Sequence, residues 1–350
     1  MGKRHVVGCL IGTAVGDALG LPYEGLSRSR AARLLGPPNR HRFLCGRGMF
    51  SDDAEHSCMV AQSMIAAGTD PGQFAIEFGR RLRWWMLSLP AGAGRATVHS
   101  CAKLWAGFPP DSSGVFSAGN GPSMRAAVIG SFVDDLGQLT AIVRSATRIT
   151  HSDPKAECGA IAVAIAAYYA RHKSPVNHED YLGCVAAAVG SKGDELVSLL
   201  KIAAQSAQDR QPTSEFAVQL GLNNGVTGYT YHTVPVAIHT WLSFPHDYRA
   251  AVTTAIECGG DADTTGAIVG GIVGTSTGEA GIPREWIESI CDWPRSVAWI
   301  RMLAEKLAQT SDTSPGGPPP ELNWLAIGGR NLVFLAIVLV HGFRRLAPPY

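Results

Sequence analysis

Residues 8–20 read Gly8-Cys-Leu-Ile-Gly-Thr-Ala-Val-Gly-Asp-Ala-Leu-Gly20, with a glycine at every fourth position. Residues four apart share one face of an α-helix, so Gly8, Gly12, Gly16 and Gly20 form a single smooth stripe. Gly266, Gly270 and Gly274 repeat the device near the other end of the chain. Each glycine inside a helix costs about 1 kcal/mol relative to alanine, so two such stripes call for compensation. Unusually close approach of two helices at the centre of a domain would supply it. A membrane dimer could use the same spacing, but Asp17, Asp261 and Asp263 beside the stripes argue against that reading.

The rest of the chain carries helical periodicity too. Apolar residues recur at that spacing over 53–67, 70–88, 134–149, 154–171, 195–208, 231–242, 247–258, 262–276 and 294–309. No period-2 alternation marks a strand. Asn120-Gly121 and Asn224-Gly225 each precede helix-like sequence instead of closing a hairpin. No unit of roughly 20–50 residues repeats, which argues against a helical solenoid. The sequence predicts an all-α fold. Breaks fall at Pro37-Pro38, at Pro90-Ala-Gly92, and from Pro109-Pro110 to Gly121. Residues 311–320 read as a Pro/Gly linker. The expected organisation is thus a domain over 1–310, the linker, and an apolar C-terminal helix within 321–350.

Composition narrows the function. The 350 residues are 46% hydrophobic, which is ample for a core and excludes wholesale disorder. Thirty basic and 29 acidic residues give a net charge of +1, so no global field for nucleic acid exists. Forty glycines are a surplus over the ordinary share of roughly 7%. The eight cysteines include no C-x-x-C pair, which removes zinc ribbons and thioredoxin-like redox motifs and fits reduced, mostly buried thiols. Only four residues separate Arg4 from Cys9, too few for a lipoprotein signal. A cytoplasmic protein is expected. The longest apolar run, Leu332 to Val340, is too short to span about 30 Å of hydrocarbon, and Arg330 blocks its extension. A packed C-terminal helix is expected there.

Each glycine stripe lies beside acids and hydroxyls. Ser51-Asp52-Asp53-Ala54-Glu55-His56 opens one helix, and Gly259-Gly260-Asp261-Ala262-Asp263-Thr264 leads into another. Acids in a first helical turn can serve only capping and the helix dipole. Two such clusters are harder to explain that way. Four carboxylates crowded together repel by several kcal/mol at low effective dielectric, and two divalent cations would balance them. Oxygen-only donors favour Mg²⁺, Mn²⁺ or Ca²⁺ over zinc. Glu24, on a loop after the first glycine helix, could move a proton near such metals. Spacing alone fits a solvated loop glutamate better.

With these segments side by side, the chain resembles the ADP-ribosylglycohydrolase family. The resemblance rests on five segments: Gly12 to Gly20 with Glu24; Ser51-Asp52-Asp53; Gly119-Asn120-Gly121-Pro-Ser-Met124-Arg125; Thr150-His151-Ser152-Asp153-Pro154; and Gly259 to Thr264. It implies a compact orthogonal multi-helix domain and a binuclear Mg²⁺ or Mn²⁺ site that binds ADP-ribose. The metal ligands it implies are Ser51, Asp52, Asp53, Asp261, Asp263 and Thr264, with Ser51 in place of the usual threonine. Glu24, Asp52 and Asp263 are the catalytic candidates, since some members use the glutamate and others a metal-bound aspartate. Ser117, Gly119, Asn120, Gly121, Ser123 and His151 are the substrate-binding candidates. The Gly-Asn-Gly loop would offer successive N–H groups to a diphosphate. Asp17 is expected to support the site, not to ligate.

The chain also departs from the family pattern. Ala54-Glu55-His56 stands where members commonly carry Thr-Gln-Met. His56, at i+4 from Asp52, could edge the pocket, support a ligand or lie on the surface. Ala118 replaces an aromatic found in some relatives. Residues 311–350 lie outside the matched segments. The implied activity is metal-dependent hydrolysis at C1″ of ADP-ribose, removing it from a modified protein or a small ADP-ribosyl substrate; a monomer is the default expectation. An ADP-ribose-binding or toxin-neutralising protein with dispensable catalysis is the alternative, and a binuclear phosphoesterase a weaker one.

Overall fold

A computed structural model describes residues 2–172, 175–310 and 317–346; linker residues 311–316 lie outside the described residues. Among the described residues the chain is helical, with isolated bridges but no strand ladder. Seven helices frame the site and are labelled in chain order: α1 (Gly2–Gly20), α2 (Asp52–Ala67), α3 (Arg95–Trp105), α4 (Pro154–His172), α5 (Thr230–Ser243), α6 (Ala262–Thr277) and α7 (Trp324–Arg344).

The two glycine stripes meet. Helices α1 and α6 run antiparallel, pairing Gly8 with Gly274, Gly12 with Gly270 and Gly16 with Gly266. A β-carbon on Gly8, Gly12 or Gly16 would lie 2.1–2.2 Å from a carbonyl oxygen of its partner. No side chain fits there, so the backbones touch and dispersion contacts offset the propensity cost. The Tyr248 hydroxyl donates 2.6 Å to the Gly12 carbonyl and helps fix the crossing. From Val6 to Gly20, α1 is buried on all sides.

The nine predicted helical segments are present with small shifts at their ends. Shorter helices, among them Arg28–Leu35, Arg95–Trp105, Ala127–Phe132, His178–Val189 and Thr213–Gln219, went unpredicted. Most are too short or too polar for an apolar period to stand out.

Among the described residues two helices are long and apolar enough to cross a membrane, Gly2–Tyr23 and Trp324–Arg344. The most apolar 18-residue window of the first is wholly buried in the core. The second extends to 21 residues, well beyond the nine-residue apolar run read from sequence. It is not a detached appendage. Arg330 is buried, with Nη2 donating 2.5 Å to the Phe50 carbonyl and its guanidinium pairing with Asp292 and Glu55. Asn331 donates to the Ser88 carbonyl at 2.7 Å. The remainder of α7 is more open than the packed helix expected, with Leu332 61% and Val340 67% exposed. Tied to the core through Arg330, it does not form a clear span.

Candidate active site

The glycine contact delivers the acids. Asp17, fully buried on α1, accepts the Ser51 N–H at 2.8 Å on Oδ1 and the Ala54 N–H at 3.0 Å on Oδ2. It thereby holds the first turn of α2 against α1, the supporting role expected of it. Burial pushes its carboxyl up to about 7 despite those bonds.

At the other end, Gly259 and Gly260 adopt φ of +71° and +74°. A β-carbon on Gly260 would lie 1.9 Å from the Val226 carbonyl oxygen, so only glycine fits. The Gly25 N–H donates 2.7 Å to the Gly260 carbonyl, and the Gly260 N–H returns 2.8 Å to the Leu26 carbonyl. The Asp261 N–H donates 2.8 Å to the Val226 carbonyl. Three remote segments are laced together, and the Glu24 loop comes to lie beside Asp261.

The two acidic clusters join across α2 and α6. The hydroxyls of Ser51 and Thr264 donate to Asp53 Oδ2 at 3.2 and 3.3 Å. Asp53 Oδ1 and Asp263 Oδ1 are buried with no hydrogen-bond partner. Burial, then the neighbouring carboxylates, push Asp52, Asp53 and Asp263 well above the carboxylate range. Burial and Asp261 also raise Glu24, while Arg345 pulls it back. Among the described residues no three His, Cys, Asp or Glu side chains form a ready-made coordination shell. The acids crowd together without their oxygens converging on a single point.

A cavity of about 350 Å³ opens from this crowd. Glu24, Ser51, Asp52, Asp261, Asp263 and Thr264 line one part, with Ser117, Gly119, Asn120, Gly121 and His151 further along the wall. Asp53 lies just beneath. The Asn120 amide donates 2.6 Å to Asp261 Oδ2 and 2.9 Å to Thr233 Oγ1, so the acidic end and the Gly-Asn-Gly loop are directly coupled. His151 is buried, with Nδ1 2.9 Å from Thr150 Oγ1. Burial, then Arg125, lower it to about 3, which makes it a neutral imidazole.

Several expectations need correction. Ser123 does not line the cavity: its hydroxyl is buried and 3.2 Å from Thr230 Oγ1. The run of free N–H groups expected of Gly-Asn-Gly is partly spent within the protein. Gly119 donates to Ser117 Oγ at 3.3 Å, and Asn120 to the Gly228 carbonyl at 2.9 Å. The glycines admit His151 instead, which a β-carbon on Gly119 would meet at 3.0 Å. His56 is neither on the surface nor in the cavity wall. It is buried beside Trp85, with Nδ1 3.0 Å from Nη1 of the buried Arg125.

Other lining residues escaped the sequence reading. Gly92, Gly94, Arg95 and Thr97 come from the loop before α3 and its first turn, and Gly228 from the turn before α5. The Pro90-Ala-Gly break was the available signal for the first group. Phe334 and Val338 of α7 complete the wall beside Leu21 and Ala91. A second cavity of about 390 Å³ lies near Glu157, but Arg144 and Arg148 already neutralise that acid.

An all-α protein with hydroxyls and carboxylates gathered at one end of a polar cavity is the class that fold and site define. Residues 2–316 match the ADP-ribosylglycohydrolase family, and the chain belongs to it. Among its relatives, an uncharacterized protein of Archaeoglobus fulgidus is 31% identical, over 81% of this chain and 90% of that one. The ADP-ribosyl-[dinitrogen reductase] glycohydrolase of Rhodospirillum rubrum is 25% identical, covering 82% and 90%. The ADP-ribosylhydrolase ARH3 of Gallus gallus is 26% identical, covering 81% and 88%. A solved ADP-ribosylglycohydrolase-related protein complex is similar in fold, with TM-score 0.63 at 24% identity over 88% of this chain and 98% of that one. The family acts on ADP-ribosylated substrates as glycosyl hydrolases.

Proposed function

We propose that this protein is a metal-dependent hydrolase that cleaves the glycosidic bond at C1″ of ADP-ribose, releasing it from a modified protein or a small ADP-ribosyl compound. One observation carries the reading. Acids from opposite ends of the chain crowd one end of a cavity, and two of their buried oxygens, Oδ1 of Asp53 and of Asp263, have no partner. Uncompensated buried acceptors are costly, and hard cations satisfy such oxygens. The donor set of Ser51, Asp52, Asp53, Asp261, Asp263 and Thr264 therefore fits two Mg²⁺ ions, or Mn²⁺. Bound there, they would supply Lewis-acid polarisation and neutralise the carboxylates.

The chain's own residues do the rest. Glu24 sits at the cavity wall with its proton affinity raised, so it holds a proton more readily than an ordinary glutamate and can deliver it to the leaving atom. Asp52 or Asp263 is the other candidate for the base. Ser117, Gly119, Asn120, Gly121 and His151 would hold the remote part of the substrate and fix its orientation. Asn120, bonded to Asp261, transmits that orientation to the acidic end. The transition state would have oxocarbenium character, as in other glycoside hydrolysis.

Release of free ADP-ribose from modified peptides, with Mg²⁺ or Mn²⁺ and with chelator, tests the proposal. Asp261→Asn combined with Asp263→Asn is expected to lower kcat by at least about 10³-fold, the scale of removing a principal electrostatic group. Undiminished release by that variant, or no release by the wild type, would overturn it. An ADP-ribose-binding protein with dispensable catalysis is not favoured, because all six proposed ligand positions carry competent side chains.

A further inference from the structure

Helix α7 turns one face to the core and another to solvent. Arg330, Asn331 and Phe334 are buried, whereas Leu325, Leu332, Leu339 and Leu346 are 52–72% exposed. Those leucines stand seven residues apart. Gly329, Ala336 and Phe343, also exposed, fall four residues after the first three of them. Alternate steps of four and three keep all seven positions on one stripe, the seam spacing of a coiled coil. Arg330 is the one Asp, Glu, Lys or Arg between Leu325 and Phe343, and it is buried, so the outer face carries no charge there. With Leu335 and Val340 beside it, the stripe presents on the order of 800 Å² of apolar surface. That is more than a typical monomer leaves in one patch, and it is the share each partner gives to a standard interface.

We propose that this face binds a second copy of the chain, two α7 helices pairing antiparallel about a two-fold axis level with residue 334. The order of sizes along the seam carries the choice of occupant. In that register Gly329 of one copy lies opposite Leu339 of the other, Ala336 opposite Leu332, and Leu325 opposite Phe343. Each small residue receives a large one, so every layer from 325 to 343 is filled and both copies use the same self-complementary patch. A parallel pair would set Gly329 against Gly329 and Phe343 against Phe343, leaving a void in one layer and crowding another. The surface at Gly329 is open to a knob from outside, since a β-carbon added there would meet no atom within 4 Å. A membrane surface would accept any apolar face, so it gives no reason for leucine at every seventh position. Helix α7 also lacks the rows of lysine and arginine that a surface-binding helix carries. Under this proposal the default expectation of a monomer does not hold.

Analytical ultracentrifugation of the full chain at micromolar concentrations provides the first test. The wild type is expected at twice the chain mass of 37.0 kDa. Leu332→Glu with Leu339→Glu should raise the dimer Kd by at least about 100-fold, the effect of losing two interface hot spots. Both leucines are exposed and neither lines the cavity, and a melting curve checks that the fold survives. Oxidative cross-linking tests the register and decides alone if the glutamate variant does not fold. Gly329→Cys with Leu339→Cys should give a disulfide-linked dimer. Neither single variant should cross-link more than the wild type, because like positions then lie about 15 Å apart, too far for a disulfide. A monomeric wild type, a dimer that the two glutamates leave intact, or cross-linking by Gly329→Cys alone would each overturn the proposal. So would a chain that is monomeric in solution and sediments only with phosphatidylglycerol vesicles. None of these outcomes touches the hydrolase reading, since no residue of the seam lines the cavity.

Discussion

Helices α1 and α7 look alike as text: long, apolar and interrupted by glycine. The protein buries the whole of the most apolar window of the first, whereas 17% of that of the second is buried. The difference lies in glycine spacing. In α1 the glycines recur every fourth residue and meet a matching stripe, so backbone packs on backbone. In α7, Gly328, Gly329 and Gly342 have no neighbour within 4 Å of where a side chain would begin. Apolar content says that a helix wants company. Spacing says what kind of company it can have.

Each helix also carries one buried charge, and the two are handled differently. Asp17 on α1 is bonded to backbone N–H groups at the start of α2. Arg330 on α7 is paired with two carboxylates. One charge builds the site and the other docks a helix against it.

The sharpest way to break the contrast is Gly12→Val. Its β-carbon would fall 2.2 Å from the Gly270 carbonyl oxygen, and two packed backbones cannot yield as a side chain can. A loss above about 3 kcal/mol is expected, at or beyond the usual cost of overpacking. Soluble yield and urea denaturation would show it. A stable, folded Gly12→Val would mean that α1 and α6 are not locked together.

Next in size is Arg330→Met. Removing one partner from a buried ion pair costs about 3–5 kcal/mol, because the remaining charge is left uncompensated. Asp292 would lose its partner, while Glu55 keeps Arg295 at 2.7 Å. Faster proteolysis within α7 than within α1 is the expected signature. Equal protection of both helices would show that α7 is held chiefly by Phe334 and His341, whose rings pack on Phe43.

The metal-free protein should also respond to pH through Asp17. Its folded pKa, about 7, lies above the ordinary aspartate value of 3.8, so the folded state binds the proton more tightly. Stability from this group is therefore greatest below about pH 4 and is lost as pH rises toward 7. Asp52, Asp53 and Asp263 shift the same way, and ionising them together adds repulsion. For Asp17 a few kcal/mol at most are at stake. Denaturation midpoints in chelator should fall across that window, and saturating Mg²⁺ should flatten the fall by favouring the ionised carboxylates. Midpoints that are flat in chelator would mean the acids sit in a wetter site than this one.

Much of this was legible from residues alone. The glycine period announced the α1–α6 contact, and Asp-x-Asp-Thr after Gly-Gly marked an acidic turn. What escaped depended on contacts that no local pattern encodes. His56 and Arg125 are 69 positions apart, and their pairing inside the core leaves no trace in either segment. Ser123 had the right chemistry for a ligand loop, but its side chain turns toward Thr230. The contribution of α7 to the cavity was invisible for the same reason. An apolar run signals burial without naming the partner, and here Leu21 and Ala91 lie far away in sequence.

The smallest effect separates the two kinds of glycine most cleanly. Gly329→Ala changes an exposed helical position where an added β-carbon meets nothing. It should therefore stabilise the protein by about 0.5–1 kcal/mol, since alanine loses less backbone freedom on folding. Gly270→Ala has the same chemistry on paper, yet its β-carbon would lie 2.3 Å from the Gly12 carbonyl oxygen and must destabilise. Urea denaturation of the pair measures opposite signs for one substitution in two apolar helices. If both shifts carried the same sign, helix propensity rather than backbone contact would govern these glycines, and the reading of the stripe as a packing device would be wrong.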